Sequence, residues 1–92
     1  MKATERVVIV QLMETFRLVE AENLLKECLE RSPKDDECLY MLGNLYRKRS
    51  NWQEALQWYA RAMEINPGSP ARHAREMILQ IMDFYDKERY NV

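Results

Sequence analysis

Apolar residues recur along this chain at the three- and four-residue spacing that is typical of one face of a helix. The clearest stripe consists of Leu39, Leu42, Leu45 and Tyr46. A second stripe begins after Asn51 and ends before Pro67. Asn51 is a favourable N-cap with Glu54 three residues later, as in a capping box, and proline cannot continue a helix. The pattern therefore predicts two consecutive helices joined by a short turn.

The same two-helix unit is found twice in the sequence. A 34-residue interval separates Pro33 from Pro67, and shifting the chain by this interval superposes apolar or small positions. The superposed pairs include Leu12 with Tyr46, Leu18 with Trp52, Ala21 with Ala55, Leu25 with Tyr59 and Cys28 with Ala62. A period of this length indicates a repeat architecture. The earlier unit is therefore predicted to contain a helix up to about residue 16 and a second over about 18–31, with a turn near Arg17 that only the alignment indicates.

The remainder of the chain is predicted to form one long helix. Ser69 is a suitable N-cap, and Pro70 occupies a first helical position, where its missing N–H costs nothing. The 92 residues then divide, within a single domain over 1–92, into a repeat over about 2–35 and a repeat over about 36–69. A capping helix over about 70–88 and a short tail over 89–92 complete the chain.

The later unit carries a specific motif. It reads Leu39-x2-Leu42-Gly43-x2-Tyr46, then Ala55-x3-Tyr59, Ala62 and Pro67. This order resembles the tetratricopeptide repeat, in which small residues such as Gly43 and Ala55 allow two helices to cross closely. The resemblance implies an all-α fold of five helices, a right-handed α-solenoid built from two helix-turn-helix repeats and a C-terminal capping helix. The earlier unit has Ile9 in place of the glycine, so its helices are expected to cross at a wider distance.

The resemblance also implies a function. Tetratricopeptide arrays usually bind a peptide or a partner helix in the groove lined by the first helix of each repeat, without catalysis. The groove residues implied by position are Arg6, Val10, Met13, Tyr40, Asn44, Arg47, Lys48, Arg75 and Ile78. Asn44 is expected to hydrogen-bond a peptide backbone, and Tyr40 to form an apolar wall. The basic residues Arg47 and Lys48 are expected to attract acidic side chains.

Apolar residues near both ends of the chain leave an alternative open. Residues 7–10 and 76–85 carry apolar side chains on more than one helical face. Either both helices are well buried in a small core, or one remaining apolar face joins two copies of the chain in a homodimer.

Composition narrows the classes of function further. A net charge of −1, with 47% apolar and 32% charged residues, is typical of a soluble globular protein. The mean hydropathy of −0.58 argues against a membrane-spanning helix. The basic run Arg47-Lys48-Arg49 is too short to neutralise many phosphates, so nucleic acid is not an expected partner.

Candidate chemistry is sparse. His73 has no second ligand or nucleophile nearby in the sequence, and two glycines cannot build a phosphate-binding loop. We therefore expect no catalytic residue, no metal and no cofactor. Cys28 and Cys38 do not have the spacing of a zinc site, and reduced thiols indicate a cytoplasmic protein.

Overall fold

Five helices form the described part of the chain. A computed structural model describes the backbone of residues 1–90 and the side chains of residues 1–84. The helices are α1 (Ala3–Glu14), α2 (Leu18–Arg31), α3 (Asp36–Lys48), α4 (Trp52–Ile65) and α5 (Ala71–Tyr90). Residues 1–90 contain no strand, so the predicted all-α fold is confirmed.

The turns between paired helices repeat in detail. Phe16 and Ser50 both adopt the left-handed backbone conformation, with φ of 59° and 60°. In each turn the N–H of the next residue donates to the carbonyl oxygen five residues earlier, at 2.8 and 2.9 Å. This pattern is a Schellman motif, which ends a helix by satisfying its last carbonyl groups. The turn predicted near Arg17 is therefore confirmed, although it contains neither glycine nor proline.

Side-chain caps begin the next helices. Asp35 accepts a hydrogen bond from the N–H of Cys38 at 3.2 Å, and the Ser69 hydroxyl accepts one at 3.1 Å in the first turn of α5. Asn51 accepts from the N–H of Glu54 at 3.3 Å, as the sequence predicts. The reciprocal half of a capping box does not form, because the Asn51 N–H already donates to a carbonyl oxygen of the preceding turn.

The α3 and α4 helices cross in close contact. A Cβ atom added to Gly43 would lie 2.4 Å from two ring carbons of Tyr59. Tyr59 and Ala55 are fully buried at this crossing. Only a residue without a side chain fits under the tyrosine ring, which explains the glycine in the motif.

The last helix does not keep the 34-residue spacing. Its buried residues up to residue 84 are Ala71, Ala74 and Ile78. They correspond, at a 33-residue spacing, to Cys38, Met41 and Leu45, three of the four residues of α3 that are buried against the first helix pair. The positions of α3 that α4 covers correspond on α5 to Arg72 and Glu76, which are exposed and lie 3.8 Å apart as an ion pair. Packed against α4, α5 thus presents a largely polar outer side, as a capping helix does.

Candidate functional site

Four of the nine candidate residues lie on one face of α3. Tyr40, Asn44 and Arg47 are half-buried and Lys48 is exposed. Their spacing of four, three and one residues places them on the same side of the helix. We call these four residues the α3 strip.

The α3 strip is anchored to the core through Asn44. The hydroxyl group of the buried Tyr59 donates to Asn44 Oδ1 at 2.5 Å. Burial raises the pKa of Tyr59 to about 12, so the hydroxyl keeps its proton and acts as the donor. The Asn44 amide nitrogen has no protein partner within residues 1–84. Asn44 is therefore held in place with its two N–H donors available to a ligand.

The positive charges of the α3 strip differ in their surroundings. The Lys48 ammonium group lies 5.4 Å from the centroid of the Phe16 ring. Arg47 lies close enough to Tyr59 for its charge to oppose the rise in the tyrosine pKa. No carboxylate of the described side chains lies within ion-pair distance of Arg47. A guanidinium group without a carboxylate partner can bind an acidic group from another molecule at little cost.

The two candidates on α1 that stay accessible are Arg6 and Val10. Arg6 forms a two-pronged ion pair with Glu37 of α3, in which Nη2 lies 2.8 Å from Oε2. Val10 is 38% exposed. Arg6 thus joins α1 to α3, and its charge is already balanced.

Three candidates do not reach this face. Met13 packs in the core with Ile9, and Ile78 is fully buried against α4. The placement of Ile78 in the groove assumed the 34-residue spacing, which fails in α5. Arg75 lies beside Met63 at the opposite edge of α5. Met13 and Ile78 are therefore corrected to core residues, and Arg75 to a different surface.

A groove between α4 and α5 was missed by the sequence analysis. It has a volume of about 540 Å³ and is lined by Trp52, Met77, Gln80, Ile81 and Phe84. At the 33-residue spacing, Met77, Gln80 and Ile81 take the positions on α5 that Asn44, Arg47 and Lys48 take on α3. The groove therefore lies on the side of α5 that corresponds by position to the α3 strip, and we call the two regions together the inner face. The stripe of alanines in α5 was the signal that could have revealed this register.

Other chemistry is limited in the described residues. Both cysteines are free and buried. Burial raises the pKa of Cys38, so its thiol is unreactive. Residues 1–84 contain no group of three histidine, cysteine, aspartate or glutamate side chains that could hold a metal ion. No helix in the part of the chain that the structure describes is long and apolar enough to cross a membrane.

Comparison with known proteins agrees with this architecture. The family model of the tetratricopeptide repeat matches residues 12–78. The chain belongs to the tetratricopeptide repeat family. It is also similar to a protein from Bacteroides fragilis whose structure was solved in solution by NMR. The two share 40% sequence identity over 98% of this chain and 91% of the other, with a TM-score of 0.86. Tetratricopeptide repeats generally mediate protein–protein interactions and are generally non-catalytic.

Proposed function

We propose that this tetratricopeptide repeat protein is a non-catalytic module that binds a segment of a partner protein on its inner face. The observation that carries the proposal is the donor set of the α3 strip. Asn44 is fixed by Tyr59 with its amide donors free, and Arg47 has no carboxylate partner among the described side chains. A peptide backbone supplies acceptors for the amide, and an acidic side chain supplies one for the guanidinium group.

The free, buried cysteines suit a partner in the cytoplasm, where thiols stay reduced. A nucleic acid is a poorer fit for the inner face. Arg6 is paired with Glu37, so Arg47 and Lys48 are the two cations of the inner face without a carboxylate partner among the described side chains. Nucleic-acid binding needs several such charges along a track.

A random peptide library tests this function without knowledge of the natural partner. Short random peptides displayed on phage are selected against the wild-type chain. We expect enriched sequences to contain an acidic residue. We also expect Arg47→Glu to weaken their binding by about a hundredfold, which is the loss of a charge-assisted hydrogen bond plus repulsion. The proposal fails if no sequence is enriched, or if binding is indifferent to both Arg47→Glu and Asn44→Ala.

A second candidate function is self-association through the outer side of α1. Val7 and Val8 take the positions of Met41 and Leu42, which are buried between the two repeats. No helix of the described chain covers the two valines, and Val7 is 65% exposed. The outer side of α5 carries the exposed ion pair of Arg72 and Glu76 by contrast, so it is more polar than the outer side of α1.

Light scattering on eluted protein distinguishes this second function. A homodimer should dissociate on the double substitution Val7→Glu and Val8→Glu without loss of helicity. Val19→Glu is the matched control, because Val19 on α2 is also 65% exposed. Ile78 is unsuitable for this purpose, since a charge at a fully buried position would unfold the protein. A wild-type monomer at tens of micromolar removes this candidate.

A further inference from the structure

We propose that the α4–α5 groove is an anchor pocket that takes one bulky apolar side chain of the segment whose acidic residue pairs with Arg47. The inference rests on the proposed function and adds the chemistry of the partner. It concerns the α5 side of the inner face, where the 34-residue spacing predicts the wrong residues. The occupant is a segment of a partner protein that carries two kinds of residue on one side. An acidic residue contacts Arg47, and a leucine, phenylalanine or tryptophan enters the groove.

The lining of the groove determines what can enter it. Four of its five residues are apolar, and the fifth is the uncharged Gln80. A volume of about 540 Å³ falls within the usual range of ligand sites and accommodates an aromatic side chain with its attached backbone. A charged group placed there would find no partner of opposite charge in the lining.

The placement of the lining residues links the groove to the α3 strip. Met77, Ile81 and Phe84 are spaced by four and three residues and share one side of α5. Ile81 is 38% exposed and Met77 is 45% exposed, so both side chains are accessible to a partner. Side chains at these positions face the same side of the array as Asn44 and Arg47, as the 33-residue correspondence shows. A single bound segment can therefore touch both regions.

The two regions of the inner face offer complementary chemistry. The α3 strip provides hydrogen-bond donors and a cation without a carboxylate partner. The α5 side provides an apolar groove with no charged residue in its lining. A partner that satisfies both must carry an acceptor or an acidic group at one point and an apolar anchor at another. A buried apolar anchor beside a polar contact is the usual composition of a binding hot spot.

The critical experiment uses peptides enriched on the wild-type chain and a matched pair of variants on α5. Ile81→Glu places a charge in the groove. Leu79→Glu places the same charge on the other side of the helix, about 160° away, at a residue that is 40% exposed. We expect Ile81→Glu to raise the dissociation constant about thirtyfold, and Leu79→Glu to change it by less than about twofold. Circular dichroism checks that both variants keep the helicity of the wild type.

The peptide supplies the other half of the test. Replacing its anchor residue by alanine should cost wild-type binding as much as Ile81→Glu does. The same replacement should cost the Ile81→Glu variant little, because the two changes remove one contact. The indole N–H signal of Trp52 should shift in NMR spectra when the enriched peptide binds and stay in place with the alanine peptide. Trp58, stacked on Tyr46 at 6.3 Å between ring centroids, serves as the internal control.

The possible outcomes separate the two proposals. If Arg47→Glu abolishes binding while Ile81→Glu and Leu79→Glu behave alike, the anchor pocket is wrong and the proposed function stands. If Arg47→Glu, Asn44→Ala and Ile81→Glu all leave binding unchanged, both proposals fail. Enriched peptides without a shared bulky apolar position overturn the anchor pocket. A peptide-free dimer that Ile81→Glu dissociates also overturns it, because the groove would then hold a second copy of the chain.

Discussion

The two helix pairs share one backbone design and solve the crossing of their helices differently. Both turns contain a residue in the left-handed conformation. The second helix of each pair ends with a hydrogen bond to the carbonyl oxygen four residues earlier, donated by the N–H of Ser32 or Asn66. In the α3/α4 pair, Gly43 lies under the ring of Tyr59. In the α1/α2 pair the equivalent positions hold Ile9 and Leu25, which are fully buried in a common cluster. Compared with the second pair, the first pair thus has a larger residue on its first helix and a smaller residue on its second helix.

The difference shows that turns and caps determine where the helices begin and end. The side chains that meet at a crossing determine how the two helices pack. The shared geometry of the turns tolerates Phe16 and Ser50 at the same position, because both side chains are exposed and lie away from the crossing. The crossing itself tolerates no independent change, because each side chain fills the space that its counterpart leaves.

The largest expected loss of stability comes from changing one of the two residues at the α3/α4 crossing to its counterpart in the first pair. Gly43→Ile should lower the free energy of unfolding by at least about 3 kcal/mol, because its side chain would overlap the Tyr59 ring. Adding Tyr59→Leu reproduces the combination found in the first pair and should recover at least about 1 kcal/mol of that loss. Urea denaturation measures both variants, with Tyr59→Leu alone as the control. A double variant no more stable than Gly43→Ile would contradict compensation between the two positions.

The converse change in the first pair should cost somewhat less. Ile9→Ala leaves a cavity at a fully buried position and should lower the free energy of unfolding by about 2–3 kcal/mol. Val10→Ala, next to it on α1 and 38% exposed, should cost less than about 1 kcal/mol. Equal losses in thermal denaturation at both positions would mean that α1 packs differently from this structure.

The two tyrosines of the second pair, Tyr59 and Tyr46, should make the stability of the protein fall in alkaline solution. Burial raises the pKa of Tyr59 to about 12, and the hydrogen bond to Glu22 raises the pKa of Tyr46 to about 12. The unfolded state releases these protons from about pH 10, so stability is present below pH 10 and is lost as the pH rises towards 12. Tyr59 accounts for about 1 kcal/mol of this loss at pH 11.

Replacing each tyrosine by phenylalanine shows where the loss of stability at high pH arises, within the second helix pair or at the contact between the pairs. Tyr59→Phe should flatten the decline in the thermal midpoint between pH 9 and pH 11 by removing the contribution from within the second pair. Tyr46→Phe should remove the contribution of the contact with α2. An unchanged decline in both variants would contradict this assignment.

The smallest effect concerns the turns. Phe16→Gly and Ser50→Gly should each raise the free energy of unfolding by about 1 kcal/mol, because glycine adopts the left-handed conformation without steric cost. The gain at Phe16 should be the smaller of the two, since its ring also contacts Lys48. Phe16→Ala, which keeps the strained backbone, should show no gain. A loss at Ser50→Gly in urea denaturation would contradict the shared turn geometry.

Sequence reasoning anticipated the repeated part of this molecule better than its end. The 34-residue period predicts the helices and the turn at Arg17, whereas the caps at Asn51 and Ser69 follow from local chemistry. The period could not reveal the register of α5, because the buried residues of α5 follow those of α3 at 33 residues instead of 34. Burial of Ile78 and exposure of Ile81 depend on how α5 rotates against α4, which is a property of packing.

The candidate site shows the same division. The sequence predicts that Asn44 and Arg47 lie on one face, because helical spacing alone places them there. It gives no signal that Tyr59 fixes Asn44, since the two residues are brought together only by the crossing of α3 and α4. The groove at Trp52 likewise forms only when the start of α4 lies beside the second half of α5.

One measurement tests the central claim, that the inner face binds a partner segment. An enriched peptide is titrated into isotope-labelled protein, and the side-chain NMR signals of Asn44 and Arg47 are followed together with the backbone signals. The account predicts that the Asn44 amide and the Arg47 Nε–H signals shift with the same dissociation constant, while Val19 and Leu79 stay in place. Shifts confined to α2 and the outer side of α4, with Asn44 and Arg47 unmoved, would contradict it.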